Sequence, residues 1–284
     1  MYKLVIQATE VATQNLKRLA QLVGAGEITA VRSGALAHQA FKLSPADPAQ
    51  REAVASFCAE AGYDFAFVPY GASLSDIGLI AMDMDSTLIT IECIDEIADM
   101  QGIKPQVAAI TARSMRGELD FRQSLLERVA LLAGLPEQAL LAVYEERLKL
   151  MPGAETLLKA AGKVGCKTLL ISGGFTFFTE RLQARLGLTR AVANVLEVAD
   201  GKLTGRVVGE VVDAARKAAE LVRMREELGL RPEQVIALGD GANDLPMLAA
   251  AGFGIACHAK PAVRAQAAYA LDQVGLDGVL GYFD

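Results

Sequence analysis

The chain has 284 residues, 52% hydrophobic and 22% charged, enough apolar material for one large α/β domain and a smaller companion. Its formal net charge is −6 and no run of lysine or arginine offsets it, so nucleic acid has no electrostatic footprint here. The four cysteines, Cys58, Cys93, Cys166 and Cys257, are widely spaced with no CxxC pair, which argues against a zinc site or disulfide framework and predicts reduced, buried thiols.

Residues 3–8 read as a short apolar strand, and 13–23 carry apolar side chains at helical spacing. Two strands follow over 27–33 and 36–43, with Gly34 at the turn. A helix over 46–61, entered through a proline-rich loop, leads to a last strand over 64–68. The order βαββαβ predicts a split βαβ, ferredoxin-like α+β domain over residues 1–72. It ends at Pro69, with 71–75 as a linker.

A different pattern occupies 73–284. Residues 77–84 are nearly continuously apolar, the mark of a strand covered on both faces of a parallel sheet. Similar runs recur at 166–172 and 235–239, with amphipathic helices such as 153–164 and 213–228 between them. This alternation predicts an α/β fold with a doubly wound, mostly parallel sheet. From about 91 to 150 there are helix-period segments and no convincing strand, which predicts four helices inserted after the first core strand. Residues 192–212 read as a hairpin turning at Asp200-Gly201. Residues 1–9 are too short and polar for a signal peptide, and no stretch of about 18 apolar residues exists, so a cytoplasmic chain with no membrane span is expected.

Four motifs carry chemistry. Asp83 and Asp85 lie at the C-terminal end of the first core strand, where open α/β sheets bind ligands. Two carboxylates so close repel unless a cation relieves them, although Asp-x-Asp alone also reads as an acidic turn. Gly239–Asp244 adds Asp240, Asn243 and Asp244 behind a second strand, where Asn243 or Asp244 equally reads as a helix cap. Ser172-Gly173-Gly174 offers a hydroxyl and backbone amides at a helix start, an anion cradle or a plain turn. Lys217 starts a further helix, where it reads either as a phosphate partner or as an i,i+4 partner of Asp213. Together these put four carboxylates, a hydroxyl and a lysine on strand-end loops of one sheet. Carboxylates hold Mg²⁺ and the other groups surround a phosphate, the equipment of phosphoryl transfer. With no GxxxxGK[ST] loop, a carboxylate nucleophile forming an aspartyl phosphate is the natural mechanism.

DMDSTL, ISGGF and GDGANDLPML, in this order and spacing, resemble the motifs of the haloacid dehalogenase-like phosphatases. DMDSTLITIECIDEIAD followed by MRGELDFRQSLLERVALLAGLP resembles the phosphoserine phosphatases of that superfamily, over about residues 76–280. The first 70 residues look at most like a divergent ACT-type module. The resemblance implies a Mg²⁺-dependent hydrolysis of phosphoserine that closes L-serine biosynthesis. It implies Asp83 as nucleophile and Asp85 as acid/base. Mg²⁺ would be held by the side chains of Asp83 and Asp240 and the backbone carbonyl of Asp85, with Asp244 beside it. Ser172, Gly173 and Lys217 would hold phosphate, although Arg216 is adjacent to Lys217 and the helix register is open. Asn243 would help bind substrate. In the inserted helices, Glu92 and Arg128 would grip the substrate's ammonium and carboxylate between apolar walls from Met115 and Phe121. A homodimer through the N-terminal domain is a further family expectation. The alternatives are the same machinery on another phosphomonoester or as a phosphotransferase or mutase, and an inert amino-acid sensor; intact Asp83 and Asp85 argue against the sensor. His38 and His258 show no obvious partners.

Overall fold

The computed structural model describes residues 1–31 and 36–284. The N-terminal unit runs β1 (Tyr2–Ala8), α1 (Thr13–Val23), β2 (Glu27–Ala30), β3 (Gln39–Ala46), α2 (Arg51–Ala61) and β4 (Asp64–Pro69). Its antiparallel sheet has the order β2-β3-β1-β4, the split βαβ arrangement read from the sequence. Several boundaries differ, two of them around the third strand and the second helix. The third strand spans Gln39–Ala46 rather than 36–43, because Ala46 still pairs with Tyr2. The second helix therefore starts at Arg51 rather than 46, after a single turn at Pro48–Gln50 whose end is capped by the Asp47 carboxylate. Gly34 and Ser33 lie outside the described residues.

β1 is buried on both faces. Leu4 and Ile6 join Leu16, Leu19 and Val54 in the unit's own core, whereas Val5, with Ala66 and Val68 of β4, joins the core of the second unit. The period of two along the strand does this sorting. The stretch 71–75 is thus no free linker. Asp284 donates its backbone N–H to Ala72, and its carboxylate pairs with Lys3 and Lys42 at 2.7 and 2.6 Å.

The second unit begins with β5 (Leu79–Met82), shorter than the 77–84 run because the chain turns at Asp83. Four inserted helices follow: α3 (Cys93–Met100), α4 (Lys104–Met115), α5 (Phe121–Ala130) and α6 (Gln138–Glu146). The insertion enters and leaves side by side, with Ile89 bridging Leu150 and Met151 N–H donating to Leu88. Then come α7 (Ala154–Lys163), β6 (Lys167–Phe175), α8 (Thr176–Leu186), β7 (Arg190–Ala199), β8 (Lys202–Val208) and α9 (Ala214–Glu227). β9 (Val235–Gly239), α10 (Leu245–Ala249), β10 (Phe253–Cys257), α11 (Pro261–Arg264) and β11 (Tyr269–Leu271) complete it. The seven strands order as β11-β10-β9-β5-β6-β7-β8, all neighbours parallel except the hairpin β7-β8. That hairpin turns at Asp200 and Gly201, both with positive φ, as a tight two-residue turn requires. β5 lies between β9 and β6, so three motif-bearing strand ends open on one side. All four cysteines are buried and free. Among the described residues no helix is long and apolar enough to cross a membrane.

Candidate active site

Beyond the strand ends lies a cavity of about 160 Å³. Asp83, Asp85, Gly173, Gly174, Asp240, Gly241 and Asn243 line it from the sheet, and Glu92, Phe121 and Arg128 from the inserted helices. The three loops meet there because β5, β6 and β9 are adjacent and parallel.

Asp83 is 6% exposed, and its Oδ1 is held twice: it accepts the Met84 N–H at 2.8 Å and pairs with Lys217 Nζ at 2.7 Å. Lys217 Nζ also donates to Asp244 Oδ1 at 2.8 Å. The chain then turns sharply, with Ser86 at φ 55, which brings Asp85 alongside. Asp85 Oδ1 accepts the Cys93 N–H at 3.0 Å, tying it to the start of α3. Ser86 Oγ donates to Glu92 Oε1 at 2.7 Å, and Thr87 Oγ1 to Asp240 Oδ1 at 3.1 Å.

Burial, and then the charge of Asp244, push the Asp83 carboxyl well above its ordinary value, against the pull of Lys217. Asp85 is pushed up to about 7, first by burial and then by the charge of Glu92, with the Cys93 amide opposing. Asp240 rises to about 6 through burial and the charges of Asp244 and Glu92. Burial disfavours the Lys217 ammonium, but Asp83 and Asp244 outweigh it and hold the group above its ordinary value. Four carboxylates thus face one ammonium. Oxygens of Asp83, Asp240 and Asp244 lie within 4.8 Å of one another. Asp244 has both oxygens engaged, by Lys217 and by the Gly241 N–H, whereas the second oxygens of Asp83 and Asp240 accept no hydrogen bond among the described residues. An all-oxygen set with excess negative charge fits a hard cation.

Glu92 and Arg128 share this cavity without neutralising each other. Among the described residues neither has an opposite charge within 4.0 Å; Glu92 accepts from Ser86, and Arg128 donates only to the Ser124 carbonyl at 3.3 Å. A carboxylate and a guanidinium held apart in one small cavity suit a ligand bearing both charges.

The family model of haloacid dehalogenase-like hydrolases matches residues 77–252. The chain belongs to this family. A second model, for a domain of unknown function, matches residues 4–54. A protein named phosphoserine phosphatase, from Polaromonas sp., is 53% identical over 212 residues, which are 73% of this chain and 90% of that protein. The crystal structure of a haloacid dehalogenase family hydrolase from Salmonella enterica serovar Typhi superposes with a TM-score of 0.93 at 35% identity, covering 100% of this chain and 99% of that one. A structure described as a phospho-aspartyl intermediate analogue of phosphoserine phosphatase matches with a TM-score of 0.68 at 39% identity, over 73% of this chain and 99% of its own.

In this hydrolase fold the sequence-derived residues fall into three groups. Asp83, Asp85, Glu92, Phe121, Arg128, Gly173, Asp240 and Asn243 line the cavity. Ser172, Lys217 and Asp244 sit fully buried beneath it. Lys217 rather than Arg216 turns inward; Arg216 faces Glu210 and Glu220. Met115 ends α4, is 70% exposed and is not among the residues that line the cavity. Ile94 and Leu125 supply apolar wall beside Phe121. The sequence reading also missed Ser86, Thr87 and the Cys93 amide. Ser86 and Thr87 stand inside the quoted DMDSTL motif, and their partners, 6 and 153 residues away, were the hidden part.

Proposed function

We propose that this hydrolase converts O-phospho-L-serine and water to L-serine and phosphate through an aspartyl phosphate on Asp83, with Mg²⁺ as its metal. The observation that carries the substrate is the Glu92–Arg128 pair, free of each other in the cavity that holds the carboxylate cluster. Phosphoserine brings an ammonium and a carboxylate to meet them. The relatives named phosphoserine phosphatase, and the phospho-aspartyl analogue among the similar structures, support the same assignment.

The chemistry follows from the side chains. A carboxylate oxygen of Asp83 attacks phosphorus, forming an O–P bond as the bond from phosphorus to the serine oxygen breaks. Asp85, pushed up to about 7 by burial, is protonated in part of the molecules at neutrality and in that form gives its proton to the leaving oxygen. It then takes a proton from water as the water oxygen attacks the same phosphorus, and the bond to Asp83 breaks to free phosphate. Lys217 fixes Asp83 and offsets its charge. Ser172 Oγ accepts the Gly174 N–H at 2.8 Å, which leaves its own proton to donate to a phosphoryl oxygen. Bound Mg²⁺, on the side chains of Asp83 and Asp240 and the Asp85 carbonyl, would neutralise the cluster so that it accepts a phosphate dianion. The same reading divides the chain at about residue 72 into a supporting N-terminal domain and a phosphatase core with a helical cap at about 91–150.

Phosphate release from phosphoserine, sugar phosphates and an aryl phosphate, with and without chelator, tests this. Phosphoserine should give the highest kcat/KM. Chelation should silence the enzyme, and Mg²⁺ should restore it better than Ca²⁺, whose larger coordination shell can occupy both oxygens of Asp83. A sugar phosphate turned over faster than phosphoserine would overturn the substrate, and full activity after chelation the metal.

A further inference from the structure

β6 and β7 pair in register as far as Ile171 with Val192, lose register across 172–174, and meet again at Phe175 with Asn194. The irregularity takes Ser172, Gly173 and Gly174 out of the ladder, with the two glycines in the cavity wall and Ser172 beneath it. It leaves the Gly173 carbonyl to be satisfied by a side chain, and Asn194 Nδ2 does so at 2.7 Å. The other end of the same amide, Oδ1, accepts the Val212 N–H at 2.8 Å. Val212 precedes Asp213, which caps the helix carrying Lys217. Asn194 is 1% exposed, alone among apolar neighbours in AVANVL, and both ends of its amide are used.

We infer that Asn194 is a positioning residue for the phosphate-holding loops. The peptide between Gly173 and Gly174 is pinned at both ends: its carbonyl by Asn194, its N–H by Ser172 Oγ. Its plane sets where the Ser172 hydroxyl and the cavity-lining Gly173 present their donors. Through Val212 the same side chain fixes the distance from that loop to the Lys217 helix. Asn194 touches no reacting atom. It acts by holding donors contributed by two different strand ends at one separation, as preorganised electrostatic stabilisation requires. The amide is needed at both ends. A carboxylate of the same shape accepts from Val212 but has no hydrogen to give Gly173.

The inference rests on the phosphatase reading but not on the identity of the substrate, so its test uses an aryl phosphate and inorganic phosphate. Asn194→Asp and Asn194→Ala are compared with wild type for kcat and KM on the aryl phosphate and for the inhibition constant of inorganic phosphate, all with Mg²⁺. Calorimetric binding of inorganic phosphate to whichever variant folds provides a readout without turnover. In both variants kcat/KM should fall at least about tenfold and phosphate should bind several-fold more weakly, because donors to the phosphoryl group are displaced. A residue that merely supported the fold would lower the active fraction and leave KM and the phosphate constant unmoved. Wild-type phosphate binding in a folded variant therefore overturns the inference. Failure of wild type on phosphoserine, with aryl phosphate turnover intact, would sink the substrate assignment and leave this test standing.

Discussion

Asp83 carries the covalent step in the proposed mechanism, and its surroundings make it a clean target. Its Oδ1 is held by Met84 and Lys217, so Asp83→Asn changes one atom in a side chain whose shape and packing persist. An amide forms no acyl phosphate, and phosphate release should drop by at least about a thousandfold. Removing one of four crowded carboxylates should leave stability to denaturant equal to or above that of wild type. Phosphate release and a urea titration on the same preparation check both. Arg128 tests specificity. Losing a guanidinium fork on a buried carboxylate costs about 2–5 kcal/mol, so Arg128→Ala should lower kcat/KM for phosphoserine about tenfold or more. An aryl phosphate, with no carboxylate to grip, should lose much less. Equal losses on both substrates would make Arg128 a support of the cap. Residues at this scale were legible where a strand end, a glycine turn and an acid coincide, as at Asp83, Asp240 and Gly173. Thr87 and Asn194 were not, because a hydroxyl or amide acquires meaning only from its partner: Asp240 is 153 residues from Thr87, and Gly173 is 21 from Asn194.

α5 joins cap to core. Phe121, Leu125 and Arg128, at i, i+4 and i+7, all line the cavity, the spacing of one helical face. Its N-terminus is closed by a reciprocal pair, Asp120 accepting from Gln123 N–H while Gln123 accepts from Asp120 N–H. Its C-terminus rests on β8 at Gly205, which has φ 80 and leaves room for nothing more: a Cβ there would lie 2.9 Å from Ala133 Cβ and 3.1 Å from the Ala130 carbonyl oxygen. Gly205→Ala combines a disfavoured backbone with a clash, and should cost about 1–3 kcal/mol in chemical denaturation. Because α5 must move, KM for phosphoserine should rise while kcat on the aryl phosphate stays near wild type. A variant equally active on phosphoserine would show that α5 tolerates displacement. Elements were legible in type more than in extent. The four cap helices and the hairpin at Asp200-Gly201 show in periodicity and turn chemistry. β10 and β11, of five and three residues, are too short to carry a period.

The whole molecule departs most from a sequence read domain by domain. Composition and the change of pattern near residue 72 separate two units, and the continuous apolar runs of β1 and β4 mark strands covered on both faces, but nothing in local periodicity says that the second face is covered by the other unit. His38, read as partnerless, contacts Gln7 at 2.9 Å and sits 3.5 Å from Asp277 of the other unit. Asp64 is the central tie. It is 5% exposed, and its carboxylate accepts the N–H groups of Asp272, Gln273 and Val274 at 2.8, 2.8 and 3.1 Å. These three amides follow β11, the edge strand of the large sheet, so one side chain closes the end of one unit onto the edge of the other. Asp64→Ala strands three donors at a buried interface, and a loss on the order of 3 kcal/mol follows. At this chain length that lowers Tm by roughly 5–10 °C. No described residue of 1–72 lines the proposed active-site cavity, so kcat and KM for phosphoserine at 25 °C should be unchanged in the folded variant. A chain starting near Gly71 keeps every proposed catalytic group and should still hydrolyse phosphoserine while folded. It also uncovers the face that Val5, Ala66 and Val68 bury, so it should be less stable than Asp64→Ala. Calorimetry and phosphoserine kinetics on both proteins decide the matter. A fall in kcat/KM in Asp64→Ala well below its melting transition would mean that the N-terminal unit shapes the active site, and the division of labour drawn at residue 72 would fail.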